Sequence, residues 1–170
     1  MVQRDFEPGS PFALLSGGET AVWYAYMKVH LRLEYELNRQ LRADSGISLA
    51  DYHVLVALTS EPGGRMRVTD LAIRIGWERS RLSHHLKRMR ERGLVETGAH
   101  PEDRRAVDVV LSEAGWETLR QATPEHVEFV RKAFLDALEP DERARLATSL
   151  ERVYDALVEH GSLPRPVDHP

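Results

Sequence analysis

The sequence predicts a mainly α-helical fold carrying one small β-hairpin, and three observations predict it. Apolar residues recur every three or four positions over most of the chain, the spacing of helices with one buried face. Residues 68–111, VTDLAIRIGWERSRLSHHLKRMRERGLVETGAHPEDRRAVDVVL, read as a short helix, a turn, a basic helix and a hairpin. Within them, residues 78–92 set six cations (Arg79, Arg81, Lys87, Arg88, Arg90, Arg92) against two acids (Glu78, Glu91), a local +4 in a chain of net −4. A basic helix on an acidic protein needs a reason, and contact with nucleic-acid phosphate is the commonest one. The arrangement is that of a winged helix-turn-helix, flanked by helices from both ends of the chain.

Length and composition narrow the alternatives. A chain of 170 residues can bury a proper core as one domain. Its apolar and charged fractions are those of a globular chain rather than a disordered one. No apolar run approaches the roughly 18–20 residues of a membrane span, and no signal-peptide pattern opens the chain. A cytoplasmic protein without a membrane partner is therefore expected. The absence of cysteine excludes disulfides, thiolate zinc sites and thiol-based redox sensing.

Residues 1–18 are rich in Pro, Gly and Ser with Phe6, Phe12, Leu14 and Leu15 interspersed, and read either as a loose tail or as an arm that packs on a neighbouring subunit. From residue 19 to about 43 no Gly or Pro intervenes, and Val22, Tyr26, Val29, Leu33, Leu37 and Leu41 form one stripe with Trp23, Met27 and Leu31 beside it. So broad an apolar face predicts a helix covered on two sides. Ser48 and Asp51 make a capping-box start for a second helix, which ends before Glu61-Pro62-Gly63-Gly64. A short strand is expected over residues 65–68. Thr69 is the expected N-cap of the third helix, with Leu71, Ala72 and Ile75 inward and Gly76 making the turn.

The basic helix follows, closed by Gly93, with Leu82, Leu86 and Met89 as a narrow buried stripe. Val107-Asp108-Val109 alternates as a half-buried strand should, and with residues 94–97 it frames a polar loop at 98–105. A helical region then runs from Ser112-Glu113 to about residue 138, with Leu119, Val127, Val130, Phe134 and Leu138 as its apolar face. Pro124 is expected to kink or interrupt it. Pro140, Asp141 and Glu142 start a last helix striped by Leu146, Leu150, Val153 and Leu157. Residues 161–170 read as a flexible tail.

The candidate site residues lie on the basic helix and the hairpin. Arg81, Ser83 and His84 stand where a recognition helix meets base edges in a major groove, whose donor and acceptor pattern differs for each pair. Arg79, Ser80, Lys87 and Arg88 are better placed for phosphates. His84 and His85 diverge by about 100° on a helix and cannot readily chelate one ion, so no metal is expected. Carboxylates and histidines are numerous, yet no nucleophile, phosphate-loop or metal-ligand arrangement is present, and neither catalysis nor a cofactor is expected. A winged-helix module that binds protein instead of DNA is the alternative reading, and the basic helix and wing tip argue against it.

The chain resembles the MarR family of bacterial transcriptional regulators over residues 21–158. The resemblance is carried by DYHVLVAL at 51–58, VTDLAIRIGWERSRLSHHLKRMRERGLV at 68–95 and EDRRAVDVVLSEAG at 102–115. The family's Asp-x-Arg wing signature, followed by a strand ending in Leu-Thr, stands here as Asp103-Arg104-Arg105 and Leu111-Ser112. The resemblance implies a homodimer held by residues 19–45 and 113–160, each copy carrying a DNA-binding lobe at 48–112. It implies a palindromic operator in double-stranded DNA, with repression relieved by a small ligand. It also implies that Arg105 enters the minor groove, with Asp103 orienting it and Arg104 near the backbone. The family's effector pocket lies where the dimerisation helices meet the lobe, and this chain's candidates there are Trp23, Tyr26, Met27, His30, Tyr52, His53 and Val56. Aromatic walls with a few polar groups suit an aromatic or phenolic ligand.

Overall fold

The computed structural model describes residues 9–103 and 105–167. Phe6 of the N-terminal segment, Arg104 of the wing and the last three residues lie outside them. A 3-10 turn (Pro11–Leu14) precedes α1 (Gly17–Ser45), which begins earlier than the expected residue 19. Ser16 is the reason: it caps the helix, and its own amide donates to the carboxylate of Glu19, three residues on, at 2.8 Å. At 29 residues α1 is about 44 Å long. Its stripe enters the chain's own core only at the C-terminal end, where Leu41 is fully buried and Leu37 packs alongside. Val22 at the other end is 72% exposed.

The expected capping box of Ser48 and Asp51 starts α2 (Leu49–Thr59), which carries Val54, Leu55, Ala57 and Leu58 into the core. Strand β1 (Arg65–Arg67) runs directly into α3 (Val68–Arg74). Thr69 is therefore not the N-cap but a residue of the first turn, its hydroxyl on Asp70, and Arg67 takes the cap position with no side-chain bond. After the turn at Gly76, whose φ of 66° only glycine adopts without strain, comes α4 (Arg79–Glu91).

Strands β2 (Val95–Ala99) and β3 (Val107–Leu111) form the hairpin, and β1 adds to its other side in the antiparallel order β1-β3-β2. That order makes β3 central and corrects its expected alternation. Asp108 is 1% exposed, whereas Val107 is 43% exposed. Helix α5 (Glu113–Val130) runs through Pro124 without interruption. Pro124 faces solvent, so the hydrogen bond it removes lies on the wet side of the helix. The irregularity comes later, as a π turn (Arg131–Leu135), before α6 (Pro140–His160).

One core joins α2, α3, α4, the sheet and the ends of α1 and α5, with Leu55, Leu58, Leu71, Leu82, Met89 and Val109 sealed from solvent. Helix α6 buries none of its side chains. Among the described residues no helix is long and apolar enough to cross a membrane.

Candidate nucleic-acid interface

The basic helix is held by one edge, as its sequence predicts. Leu82, Leu86 and Met89 are at most 3% exposed, and His85 is buried beside them. Arg79, Ser80, Arg81, Ser83, His84, Lys87 and Arg88 all lie on the exposed arc. No side chain caps the first turn of α4, so its amide dipoles face outward with Arg79 and Ser80, a suitable setting for phosphate. Arg81 lies over the buried Trp77 indole, its guanidinium carbon 4.1 Å from the ring centroid. The Ser83 hydroxyl donates to the Arg79 carbonyl at 2.8 Å.

The underside of α4 rests on a buried carboxylate that sequence reasoning identified only as a cap. Asp51 accepts from the Ser48 amide at 2.9 Å and also from the Arg92 guanidinium. The His85 Nε2 stands 2.9 Å from the same carboxylate but out of line for a hydrogen bond. Arg88 donates to His85 Nδ1 at 3.1 Å, which assigns the ring proton to the Nε2 that faces Asp51. Burial pushes the Asp51 pKa up, but His85, Arg92 and Ser48 together outweigh it and hold the group well below the usual carboxylate range. Spacing revealed Ser48 but not His85 or Arg92, which lie more than a helix away in sequence.

The wing stands beside this helix. Its loop closes through the His100 amide on the Ala106 carbonyl at 3.0 Å and the Ala106 amide on the Asp103 carbonyl at 2.9 Å. Arg105 is exposed at the tip. The Asp103 carboxylate accepts from the backbone amide of Arg105 at 3.0 Å, so it fixes that residue by its main chain. Arg90 of α4 donates to the Thr97 hydroxyl of β2 at 3.0 Å and ties helix to wing. Asp108 accepts from Arg65 at 3.1 Å and faces His100, whose Nδ1 is 2.9 Å from both carboxylate oxygens. Burial raises the Asp108 pKa, and His100 and Arg65 more than reverse the effect.

The candidate effector residues are not gathered into one cavity within the chain. Trp23, Tyr26 and His30 stack along the exposed face of α1, with centroids 5.4 and 5.6 Å apart, and Met27 is half-buried beside them. Tyr52 packs on the buried His126 at 4.2 Å, and Val56 lies against the core. His53 alone of the seven lines an open cleft of about 280 Å³ between α1, α2 and the α3–α4 turn. Glu34, Asn38, Ile75, Trp77 and Arg81 complete its main walls. Burial lowers the His53 pKa, partly offset by Glu34, so the ring is neutral at physiological pH.

The MarR family model matches residues 45–106. The structure of Sco3205 from Streptomyces coelicolor, a MarR family transcriptional regulator in complex with DNA, is 36% identical and superposes with a TM-score of 0.83 over 88% of this chain and 97% of that one. AbsC, a MarR family transcriptional regulator from the same organism, is 35% identical, with a TM-score of 0.81 over 86% and 98% of the two chains. The PcaV transcriptional regulator of S. coelicolor, solved with its natural ligand, is 26% identical with a TM-score of 0.64 over 75% and 90%.

Proposed function

The chain belongs to the MarR family of transcriptional regulators, and from that premise we propose that two copies of it repress a promoter by binding a palindromic operator, and that a small ligand relieves the repression. It is a DNA-binding regulator and not an enzyme. The observation that carries the reading is the exposed arc of Arg79, Arg81, Lys87 and Arg88 on a helix locked to the core, with Arg105 projecting beside it from the wing. Arg81, Ser83 and His84 read base edges; Ser80 and the flanking cations hold phosphates. Arg105 enters the adjacent minor groove, and Arg104 adds charge to the same loop.

Anisotropy titration against duplex DNA at several salt concentrations tests this. If the dimer neutralises about eight phosphates, log affinity falls with log salt at a slope near −7. Binding that ignores salt, or no binding to duplex at low salt, would overturn the proposal and favour the protein-binding alternative.

We place the effector in the cleft beside His53. Trp77 and Ile75 offer apolar walls, while Asn38, His53 and Arg81 offer polar groups, the usual make-up of a small-molecule site. An aromatic carboxylate paired with Arg81 would withdraw a cation that base reading requires, which couples ligand to DNA. The complex of PcaV with its natural ligand supports a ligand-responsive reading. Thermal melts with benzoate and hydroxybenzoates check it: a ligand at 100 times its Kd adds about 2.7 kcal/mol of stability.

A further inference from the structure

The wing tip carries the exposed Arg105, yet the hairpin is only five residues long on each side. Such a hairpin is marginally stable by itself and needs an anchor to point in one direction. The described structure provides an anchor that no role in base reading explains. Asp108, on the central strand, is 1% exposed, and burying a carboxylate is unfavourable unless it is paired and hydrogen-bonded. Its partners come from both sides. Arg65 of β1 donates to one oxygen at 3.1 Å. The Nδ1 of His100, the first residue after β2, is 2.9 Å from both oxygens. The His100 amide also closes the loop onto Ala106, whose own amide bonds the carbonyl of Asp103. One side chain on β3 thus joins the tip loop to β1.

We propose that His100 is a positioning residue for DNA binding: clasped to Asp108 and Arg65, it holds the wing loop in one orientation and so presents Arg105 to the groove. It acts through Arg105 and touches no DNA. Losing the clasp leaves the hairpin paired but lets the loop swing, so Arg105 must be ordered again each time DNA is bound, an entropic cost that falls on affinity.

The inference rests on the DNA-binding reading, and the test separates the two. The probe is a duplex enriched from a randomised pool by the wild-type protein. His100→Ala should weaken binding about as much as Arg105→Ala does, roughly tenfold, with the double variant little weaker than either single one. His100→Asn, whose amide can donate where Nδ1 does, should recover most of the loss. Full additivity, about a hundredfold in the double variant, would overturn the clasp, as would wild-type affinity in His100→Ala. Amide exchange of the free protein gives a second reading without DNA. His100→Ala should speed exchange of the Ala106 amide while leaving the β2–β3 ladder protected. Unchanged exchange at Ala106 would overturn the proposal. A wild-type protein that enriches no duplex would sink the DNA-binding reading instead.

Discussion

At the residue scale, Asp51 and Asp108 show how a polar group in the core can support a function performed at the surface. Each is sealed from solvent, each carries a guanidinium and a nearby imidazole, and each lies beneath a part that the proposed function turns toward DNA. Arg105→Ala should leave the melting temperature in place and weaken operator binding by tenfold or more, roughly 1.4 kcal/mol, measured by gel shift. His126 offers a different test. Its Nδ1 donates to Gln40 Oε1 at 2.9 Å where α1, α2 and α5 meet. Burial lowers its pKa below 6.5, and the neighbouring His53 lowers it further. A depressed pKa means the fold favours the neutral ring, so stability is full above 6.5 and is lost as pH falls through the folded value. His126→Phe should melt lower at neutral pH yet lose less between neutral pH and pH 5.5, about one unit below the ordinary histidine pKa, in parallel thermal melts. The outward arc of α4 was legible from spacing alone. Apart from the Ser48 cap, the partners of Asp51 and Asp108 were not, because period-two and capping patterns see only neighbours in the chain.

At the element scale, the six α-helices and three strands of the described residues could be read from apolar spacing and turn residues, while the short 3-10 turn and the π turn could not, and the errors share a cause. Thr69 and Pro124 follow local preferences that tertiary context overrides: β1 feeds α3 without a gap, and the proline ring faces water. Asp108 is misplaced by alternation because β3 has a strand on each side and a covered face where the pattern implied water. The meeting of α4, β2 and α5 is similarly invisible in sequence. Ser112, where the family motif has Thr, donates its hydroxyl to the Gly93 carbonyl at 2.6 Å and accepts from the Gly115 amide at 2.9 Å. A Cβ at Gly115 would run into the Leu94 carbonyl and crowd Leu111. Gly115→Ala should therefore cost about 1–3 kcal/mol, read from the denaturation midpoint at unchanged m-value.

At the scale of the whole molecule, the apolar stripes of α1 and α6 remain uncovered in a single chain. Val22, Tyr26, Leu150, Val153 and Leu157 are each about half exposed or more. The stripes were plain in the sequence; what covers them was not, since periodicity names a face and not its partner. In the proposed dimer a second copy covers them and sets the two recognition helices about 34–36 Å apart, the spacing of successive major grooves. Val153→Glu with Leu157→Glu should give a monomer by light scattering and a large loss of operator affinity, while the lobe keeps its core.

The bare face of α6 bears also on how the protein responds to its own abundance. In the proposed dimer, a helix with no fully buried side chain in its own chain would gain most of its tertiary support from assembly, so folding of that end and pairing would be one equilibrium. Dilute copies would then be both poor binders and ready substrates for proteolysis. Operator occupancy would rise more steeply than in proportion to the amount of chain synthesised, turning a gradual change in expression into a threshold at the promoter.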